Sequence, residues 1–302
     1  MVPNVIGVDV GGTKILAGVV GSDGTISAHR EFPTPLDSED ELVDGLEAAV
    51  RELLDESIVA VGFGIPSRID QRTGTAIGSV NVPLVDVPFR EVMRERLGLP
   101  VAIDNDGDAA AIAEWRVGAG RGATDMVMLT LGTGVGGGLI LGGRPYRGSI
   151  GAGGELGHVV IVHDGVPCSC GGYGHLESYV SGKAADELAR QTFGPAADAH
   201  RLVRIANEGD AAALELLTEI GRKLGSGLGS IVNAYDPELI VVGGGFAAAG
   251  ELLLAPACEV MEREALKPIR EGMRVVRAEL GTSAGMIGAA LVALDVVDSV
   301  PT

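Results

Sequence analysis

Residues 5–20 read V-I-G-V-D-V-G-G-T-K-I-L-A-G-V-V. Two apolar runs flank a turn that contains two adjacent glycines, and a third run follows at residues 24–31. Short apolar runs separated by glycine-rich turns are typical of consecutive strands that pair in an antiparallel sheet. This stretch therefore predicts a β-meander at the start of the chain.

The same pattern recurs near the middle of the chain. Residues 131–140 read L-G-T-G-V-G-G-G-L-I, in which a glycine turn with a threonine again joins two apolar runs. Two such hairpins, each opening its own half, indicate a duplicated architecture. Elsewhere strand patterns alternate with helical ones, which predicts an α/β fold. A glycine-rich break at residues 118–122 divides the chain into predicted domains at 1–117 and 118–288.

The composition excludes several classes of function. The chain has 302 residues and 46% hydrophobic content, enough for two aliphatic cores. A formal net charge of −18 and the lack of a basic run argue against nucleic-acid binding. Three cysteines imply no disulfide framework. No signal peptide and no uncharged apolar run of about 18 residues is found, so we expect a cytoplasmic protein with no membrane partner.

Glycine turns follow three of the predicted strands. Gly11 and Gly12, with Thr13 and Lys14, either hold phosphate through exposed N–H groups or simply close a hairpin. Residues 132–137 formally contain G-x-G-x-x-G, but a strand follows instead of a helix. We therefore reject the dinucleotide fingerprint and keep a second phosphate-binding turn. Residues 243–245 form the third turn, at a strand end where α/β folds place ligands.

Gly221, Gly225 and Gly229 lie four residues apart on a helix predicted at 211–232. This spacing puts all three on one helical face, where a backbone can approach closely. Tight helix packing is favoured over contact with a ligand.

Residues 104–108 read D-N-D-G-D, a dense acidic cluster between a predicted strand and a predicted helix. A calcium loop would need glycine at its sixth position and glutamate at its twelfth, but Ala109 and Trp115 stand there. Asn and Asp favour helix N-caps, so at least one member is expected to cap the helix. A second member that points into a cleft could act as a general base.

Residues 155–177 place His158, Cys168, Cys170 and His175 close together between glycines. Two thiolates and two imidazoles suit tetrahedral zinc, and four protein ligands leave no open position, so the metal would be structural. The alternative is that the cysteines are ordinary buried thiols. His163 is a rival ligand that the spacing does not exclude.

Taken together, these motifs resemble the ROK family (repressors, open reading frames and sugar kinases), from Ile6 to about Ala293. The resemblance implies the actin-like ATPase (ribonuclease H-like) fold, with two α/β domains around a cleft and a mixed five-stranded sheet in each. A C-terminal helix at about 289–302 would pack back on the first domain.

The resemblance also implies roles for individual residues. Nucleotide and magnesium would contact Asp9, Gly11, Gly12, Thr13, Lys14, Gly132, Thr133, Gly134, Gly243 and Gly244. The sugar would contact Asn81, Asn105, Asp106, Glu155, His158 and Glu177, with Asp106 as the catalytic base. Zinc would be held by His158, Cys168, Cys170 and His175, although His175 stands where the family usually has cysteine.

The activity implied is ATP-dependent phosphorylation of the 6-hydroxyl of glucose by a cytoplasmic homodimer or homotetramer. Kinases for N-acetylmannosamine, fructose or mannose, and a polyphosphate-dependent glucokinase, remain alternatives. A sugar-responsive repressor is disfavoured, because the first phosphate motif begins by residue 9 and the net charge is −18. Asp104 and Asp108 replace the common Glu and Asn around the base. Ser67 and Leu84 also depart from the family pattern and are expected near the sugar pocket.

Overall fold

The computed structural model describes residues 4–79, 81–268 and 272–298. Its strands are β1 (Asn4–Val10), β2 (Lys14–Val20), β3 (Ile26–Pro33), β4 (Ile58–Ile65), β5 (Arg68–Asp70), β6 (Thr75–Gly78), β7 (Val85–Val87), β8 (Val101–Asn105), β9 (Met126–Leu131), β10 (Val135–Ile140), β11 (Leu239–Gly243) and β12 (Arg274–Arg277).

The helices alternate with these strands. They are α1 (Glu39–Arg51), α2 (Phe89–Leu97), α3 (Asp106–Val117), α4 (Glu177–Val180), α5 (Gly182–Phe193), α6 (Ala199–Asn207), α7 (Ala211–Tyr235), α8 (Glu251–Glu264) and α9 (Ala284–Asp298). Short 3₁₀ turns occur at Leu156–His158, Gly245–Ala249 and Gly281–Ser283. Of the helices within the described ranges, none combines the length and the apolar character needed to cross a lipid bilayer.

The chain forms two compact units. Among the described residues, the first unit comprises 4–122, 138–154 and 282–298, and the second comprises 123–137, 155–268 and 272–281. This division differs from the predicted domains because segment 138–154 groups with the first unit. The terminal helix begins at Ala284, earlier than expected, and its predicted end at 299–302 lies outside the described residues.

The first unit is built on a sheet in which the described strands number five, in the order β3-β2-β1-β4-β8. β1 pairs antiparallel with β2, and β2 with β3, as the predicted meander requires. β4 and β8 continue the sheet in parallel with β1. The carboxyl ends of β1, β4 and β8 therefore meet at one edge, where α/β proteins place their ligands.

Alternate residues of the central strands face opposite sides of this sheet. Ile6 and Phe63 join a core cluster that also contains Leu42 of α1 and Phe89 of α2. On the other side α9 packs against β1 and β4. The approach is close: a Cβ added to Gly62 would lie 1.8 Å from the Ala289 carbonyl oxygen. Glycine on the strand lets the helix backbone rest directly on the sheet.

The second unit has a sheet in the order β10-β9-β11-β12, so four of the described strands form it where five were expected. β11 is parallel to both β9 and β12. The chain turns after β10 and forms only an isolated bridge, between Ile140 and Pro145, in place of a third hairpin strand. Gly142 and Gly143 both have positive φ at this turn.

Helices α7 and α8 of the second unit pack along each other. Cβ atoms added to Gly221 and Gly225 would lie 2.5 Å and 2.3 Å from carbonyl oxygens of α8, and one added to Gly229 would lie 2.8 Å from Glu264 Cβ. The favoured interpretation of this glycine triplet, tight helix packing, is confirmed.

Candidate active site

Two carboxylates of the first unit interact at the strand edge described above. Asp9 lies in β1 and keeps some exposed surface, and half-buried Asp106 is the first residue of α3. Burial and, to a lesser extent, the charge of Asp106 raise the pKa of Asp9 to about 7, although Lys14 opposes the shift. The α9 backbone contributes to this burial, because a Cβ on Gly285 would lie 2.6 Å from Asp9 Cγ.

The turn after β1 is a tight hairpin. The Gly11 N–H donates to the Lys14 carbonyl at 2.9 Å, and the Thr34 hydroxyl donates to the Gly11 carbonyl at 2.7 Å. Gly12 and Thr13 are exposed at its tip. Lys14 Nζ lies 2.7 Å from Glu31 on the neighbouring strand. The turn therefore closes a hairpin, and Gly12 and Thr13 at its exposed tip stay predicted phosphate contacts.

Asn105 caps helix α3. Its Oδ1 accepts the N–H groups of Gly107 and Asp108 at 2.9 and 3.2 Å, and its Nδ2 donates to the Ser67 carbonyl at 3.3 Å. The expectation that one member of the acidic cluster caps this helix is thus confirmed. Asn81, also predicted to touch sugar, is exposed, and its N–H donates to the Ser79 hydroxyl at 3.0 Å.

Asp104 is buried, with an exposed fraction of 1%, and it is paired with a cation. Arg147 Nε donates to both of its oxygens at 3.0 Å, and Arg147 Nη2 donates to Oδ2. Gln71 Nε2 donates to Oδ1 at 2.8 Å. Sequence reasoning missed both partners. The one available signal was a pair of arginines, Arg144 and Arg147, in a glycine-rich segment.

One expectation about the sugar pocket needs correction. Leu84 is fully buried in the core cluster of the first unit, because a large aliphatic side chain gains most from leaving water. It cannot line a pocket rim. Ser67 is buried too, and its hydroxyl donates to the Gly78 carbonyl at 3.0 Å. Its contribution near Asn105 is the backbone carbonyl.

In the second unit, the glycine turn between β9 and β10 is fastened to the start of α4 and α5. Glu177 Oε2 accepts the Val135 N–H at 2.9 Å, and the Gly182 N–H donates to the Gly132 carbonyl at 2.7 Å. Thr133 at the tip is exposed. The third turn follows β11, where Gly244 has a φ of +87° and packs against Leu131.

The predicted metal ligands come together in the second unit. One ligand atom from each of His158, Cys168, Cys170 and His175 lies within 4.8 Å of all the others. Cys168 Sγ is 3.7 Å from His158 Nδ1, and Cys170 Sγ is 3.2 Å from His175 Nδ1. Ligands at about 2.0–2.3 Å from a tetrahedral zinc ion are separated by similar distances. The donor set and the spacing both fit zinc.

The rival ligand is placed elsewhere. His163 is highly exposed, and its Nε2 lies 3.2 Å from Asp164 Oδ2. His158 turns its Nδ1 toward Cys168, and its Nε2 is 4.0 Å from Glu155 Oε2.

The comparison with known proteins agrees with these motifs. The ROK family matches residues 5–296. The chain belongs to the ROK family. A glucokinase from Streptomyces coelicolor is 35% identical over 307 residues, which cover 94% of this chain and 96% of that relative.

Solved ROK structures share its fold. A glucokinase from Streptomyces griseus, in complex with glucose and AMPPNP, has a TM-score of 0.86 at 36% identity and covers 97% of this chain and 99% of its own. A ROK hexokinase from Thermus thermophilus has a TM-score of 0.83 at 37% identity, and the match covers 98% of this chain and 100% of the hexokinase chain. The predicted actin-like ATPase fold of the ROK family is therefore confirmed.

Proposed function

We propose that this ROK protein transfers the γ-phosphoryl group of ATP to the 6-hydroxyl of glucose. The observation that carries the proposal is the half-buried Asp106 at the start of α3, electrostatically coupled to Asp9. It occurs in a chain 36% identical to a kinase solved with glucose and an ATP analogue. A carboxylate held at a helix start is suited to accept a proton from a bound hydroxyl.

Asp106 acts as the general base. It orients the 6-hydroxyl and takes its proton as the O6–phosphorus bond forms and the bond from phosphorus to the bridging oxygen of ADP breaks. Little covalent chemistry is left to the protein in phosphoryl transfer, so positioning and charge stabilisation dominate. The N–H groups of Gly12 and Thr13 are assigned to the phosphates, and the exposed turn tip at Thr133 is assigned the same role.

Several polar residues are assigned to the sugar. Asn105 keeps a second Nδ2 hydrogen beyond the one given to Ser67, since an amide nitrogen carries two. Asn81 is exposed, and Glu155, His158 and Glu177 are assigned as further polar contacts. A ligand rich in hydroxyl donors satisfies these carboxylates, because acceptors left unpaired on burial cost about 1–3 kcal/mol each.

Asp9 is the residue we assign to magnesium. Its pKa is raised partly by repulsion from Asp106, and a divalent cation relieves repulsion of this kind. Carboxylate oxygens are also the ligands that magnesium prefers. When bound, the ion supplies positive charge that offsets charge on the phosphates.

Zinc is assigned to His158, Cys168, Cys170 and His175 as a structural ion. Such an ion, when bound, rigidifies a loop that has few side chains of its own to pack. His158 would hold the ion through the ring nitrogen that faces Cys168, and its Nε2, 4.0 Å from Glu155 Oε2, would remain for a sugar hydroxyl.

Release of ADP, measured with a coupled assay across a panel of hexoses, tests the activity. We expect the highest kcat/KM for glucose over mannose, fructose and N-acetylmannosamine, with ATP preferred to polyphosphate. A clear advantage for N-acetylmannosamine or fructose would overturn the sugar while leaving the kinase mechanism intact.

The base is tested by Asp106→Asn. Because general-base catalysis is typically worth about 10²–10⁴-fold, kcat should fall by that factor while glucose still binds, as titration calorimetry would report. If the variant keeps more than about a third of wild-type turnover, Asp106 is not the base.

A further inference from the structure

The residue that immediately precedes the Asn105-Asp106 pair is held unusually firmly. The Asp104 carboxylate accepts hydrogen bonds from Arg147, Gln71 and the N–H of Asn105, the last at 3.0 Å. A buried carboxylate is tolerated when a cation and further donors satisfy it, as they do here. Because the guanidinium binds the carboxylate at two points, it fixes the orientation of the carboxylate as well as balancing its charge.

This network fixes the junction from which the base projects. The Asn105 backbone is bound by Asp104, and the Asn105 side chain is bound by Ser67 and by two N–H groups of α3. Asp106 is the next residue, so its backbone inherits that constraint. A shift of the strand end would carry the Asp106 carboxylate with it.

The other end of the pair lies in a glycine-rich loop. Gly148, Gly151 and Gly154 have positive φ, and the Gly153 N–H donates to the Arg147 carbonyl at 2.8 Å, which closes a short loop. Ile150 at the tip of this loop is exposed. Arg147 joins this loop to β8 through its ion pair with Asp104. The glycines of the loop carry no side chains that could make such a contact.

We propose that Arg147 and Asp104 are positioning residues for catalysis: their ion pair holds the β8–α3 junction so that Asp106 meets the sugar hydroxyl. This inference rests on the proposed function. Displacement of a catalytic group by about 1 Å can lower turnover about 10²-fold, so a modest loosening of the pair should appear mainly in kcat.

The first unit contains a matched control. Arg116 of α3 binds Asp295 of α9 through two contacts, at 2.9 and 2.6 Å, near the opposite end of the same helix. Replacing either arginine by lysine keeps the charge and removes the two-point geometry. The two variants loosen opposite ends of α3, and the pairs also differ in burial, because Asp104 is buried whereas Asp295 is half exposed.

The experiment compares Arg147→Lys with Arg116→Lys, with kcat expressed per folded molecule. We expect Arg147→Lys to lower kcat about 10- to 100-fold with a smaller change in KM for glucose, and Arg116→Lys to stay within about 2-fold of wild type. A purely structural role for Arg147 would lower the melting temperature of Arg147→Lys and leave its kcat per folded molecule unchanged. Equal kcat in the two variants overturns the proposal.

Amide hydrogen exchange gives a second readout that needs no turnover. Exchange at residues 105–108 should accelerate in Arg147→Lys and not in Arg116→Lys. If the wild type phosphorylates no hexose, the proposed function fails; unchanged exchange would separately refute the positioning role. Should Arg147→Lys not fold, the double variant Asp104→Asn/Arg147→Gln, which removes both charges of the pair together, takes its place in both measurements.

Discussion

Asp9 at the strand edge lowers the stability of the folded protein when it is ionised, although its charge is needed for the proposed reaction. Asp9 has a pKa of about 7 in the absence of a cation, so its ionised form is disfavoured in the folded protein. Asp9→Asn removes that charge while keeping the shape of the side chain. We expect the variant to lose turnover and yet to be more stable than wild type at pH 8 without added magnesium, by about 1–3 kcal/mol.

The pH dependence follows from the direction of this shift. Between pH 3.8 and about 7 the folded state holds the Asp9 proton more tightly than the unfolded state, so wild-type stability falls as pH rises. The gain in stability of Asp9→Asn over wild type should therefore be largest above pH 7 and should shrink toward pH 4. Urea unfolding at pH 5 and pH 8 measures it, with the exposed Glu56→Gln as control. Equal stability of variant and wild type at pH 8 would contradict the assignment.

Among the elements, the loop of residues 155–177 is expected to depend on metal. Protein purified without chelator should carry about one zinc per chain, and His175→Ala should lose the metal and lower the melting temperature, because structural zinc contributes folding free energy. His175→Cys should keep zinc, since a thiolate is an equally good ligand. His163→Ala is the control. Elemental analysis that finds zinc lost from His163→Ala, or no zinc at all, refutes this ligand set.

The α7–α8 contact should tolerate no added atom. A Cβ at Gly225 would meet the Ala257 carbonyl at 2.3 Å, and backbone cannot move aside as a flexible side chain can. Gly225→Ala should therefore cost about 1–3 kcal/mol, although alanine has the higher helix propensity by about 1 kcal/mol. Thermal unfolding checks this, with the exposed Ser230→Ala on the same helix as control. A more stable Gly225→Ala protein would mean that the helices separate easily.

These elements also show what local pattern can and cannot predict. The meander β1–β3 and the α7 glycine face were predictable because a turn or a helical period fixes which residues meet. The sheet β5-β6-β7 was missed, since strands of three or four residues are too short to show a period. The Arg147–Asp104 pair was missed for another reason: its members are 43 residues apart, and no local pattern reports such a contact.

For the whole molecule, charge decides how stability responds to salt. The chain carries 41 acidic and 23 basic residues, and the ion pairs Lys14–Glu31 and Arg204–Glu208 both lie at the surface. Exposed pairs contribute about 0–1 kcal/mol each and are screened by salt, whereas a net charge of −18 produces repulsion throughout the fold.

We therefore expect repulsion to dominate, so that potassium chloride stabilises the protein. Raising it from about 10 to about 150 mM shortens the screening length from about 30 to about 8 Å. The melting temperature should rise over this range, whereas sucrose at equal osmolality should give a smaller rise because it does not screen charge. Asp9→Asn should show a smaller salt response than wild type, since it removes one repelling carboxylate. A melting temperature that falls with salt would mean that attractive pairs outweigh the net charge.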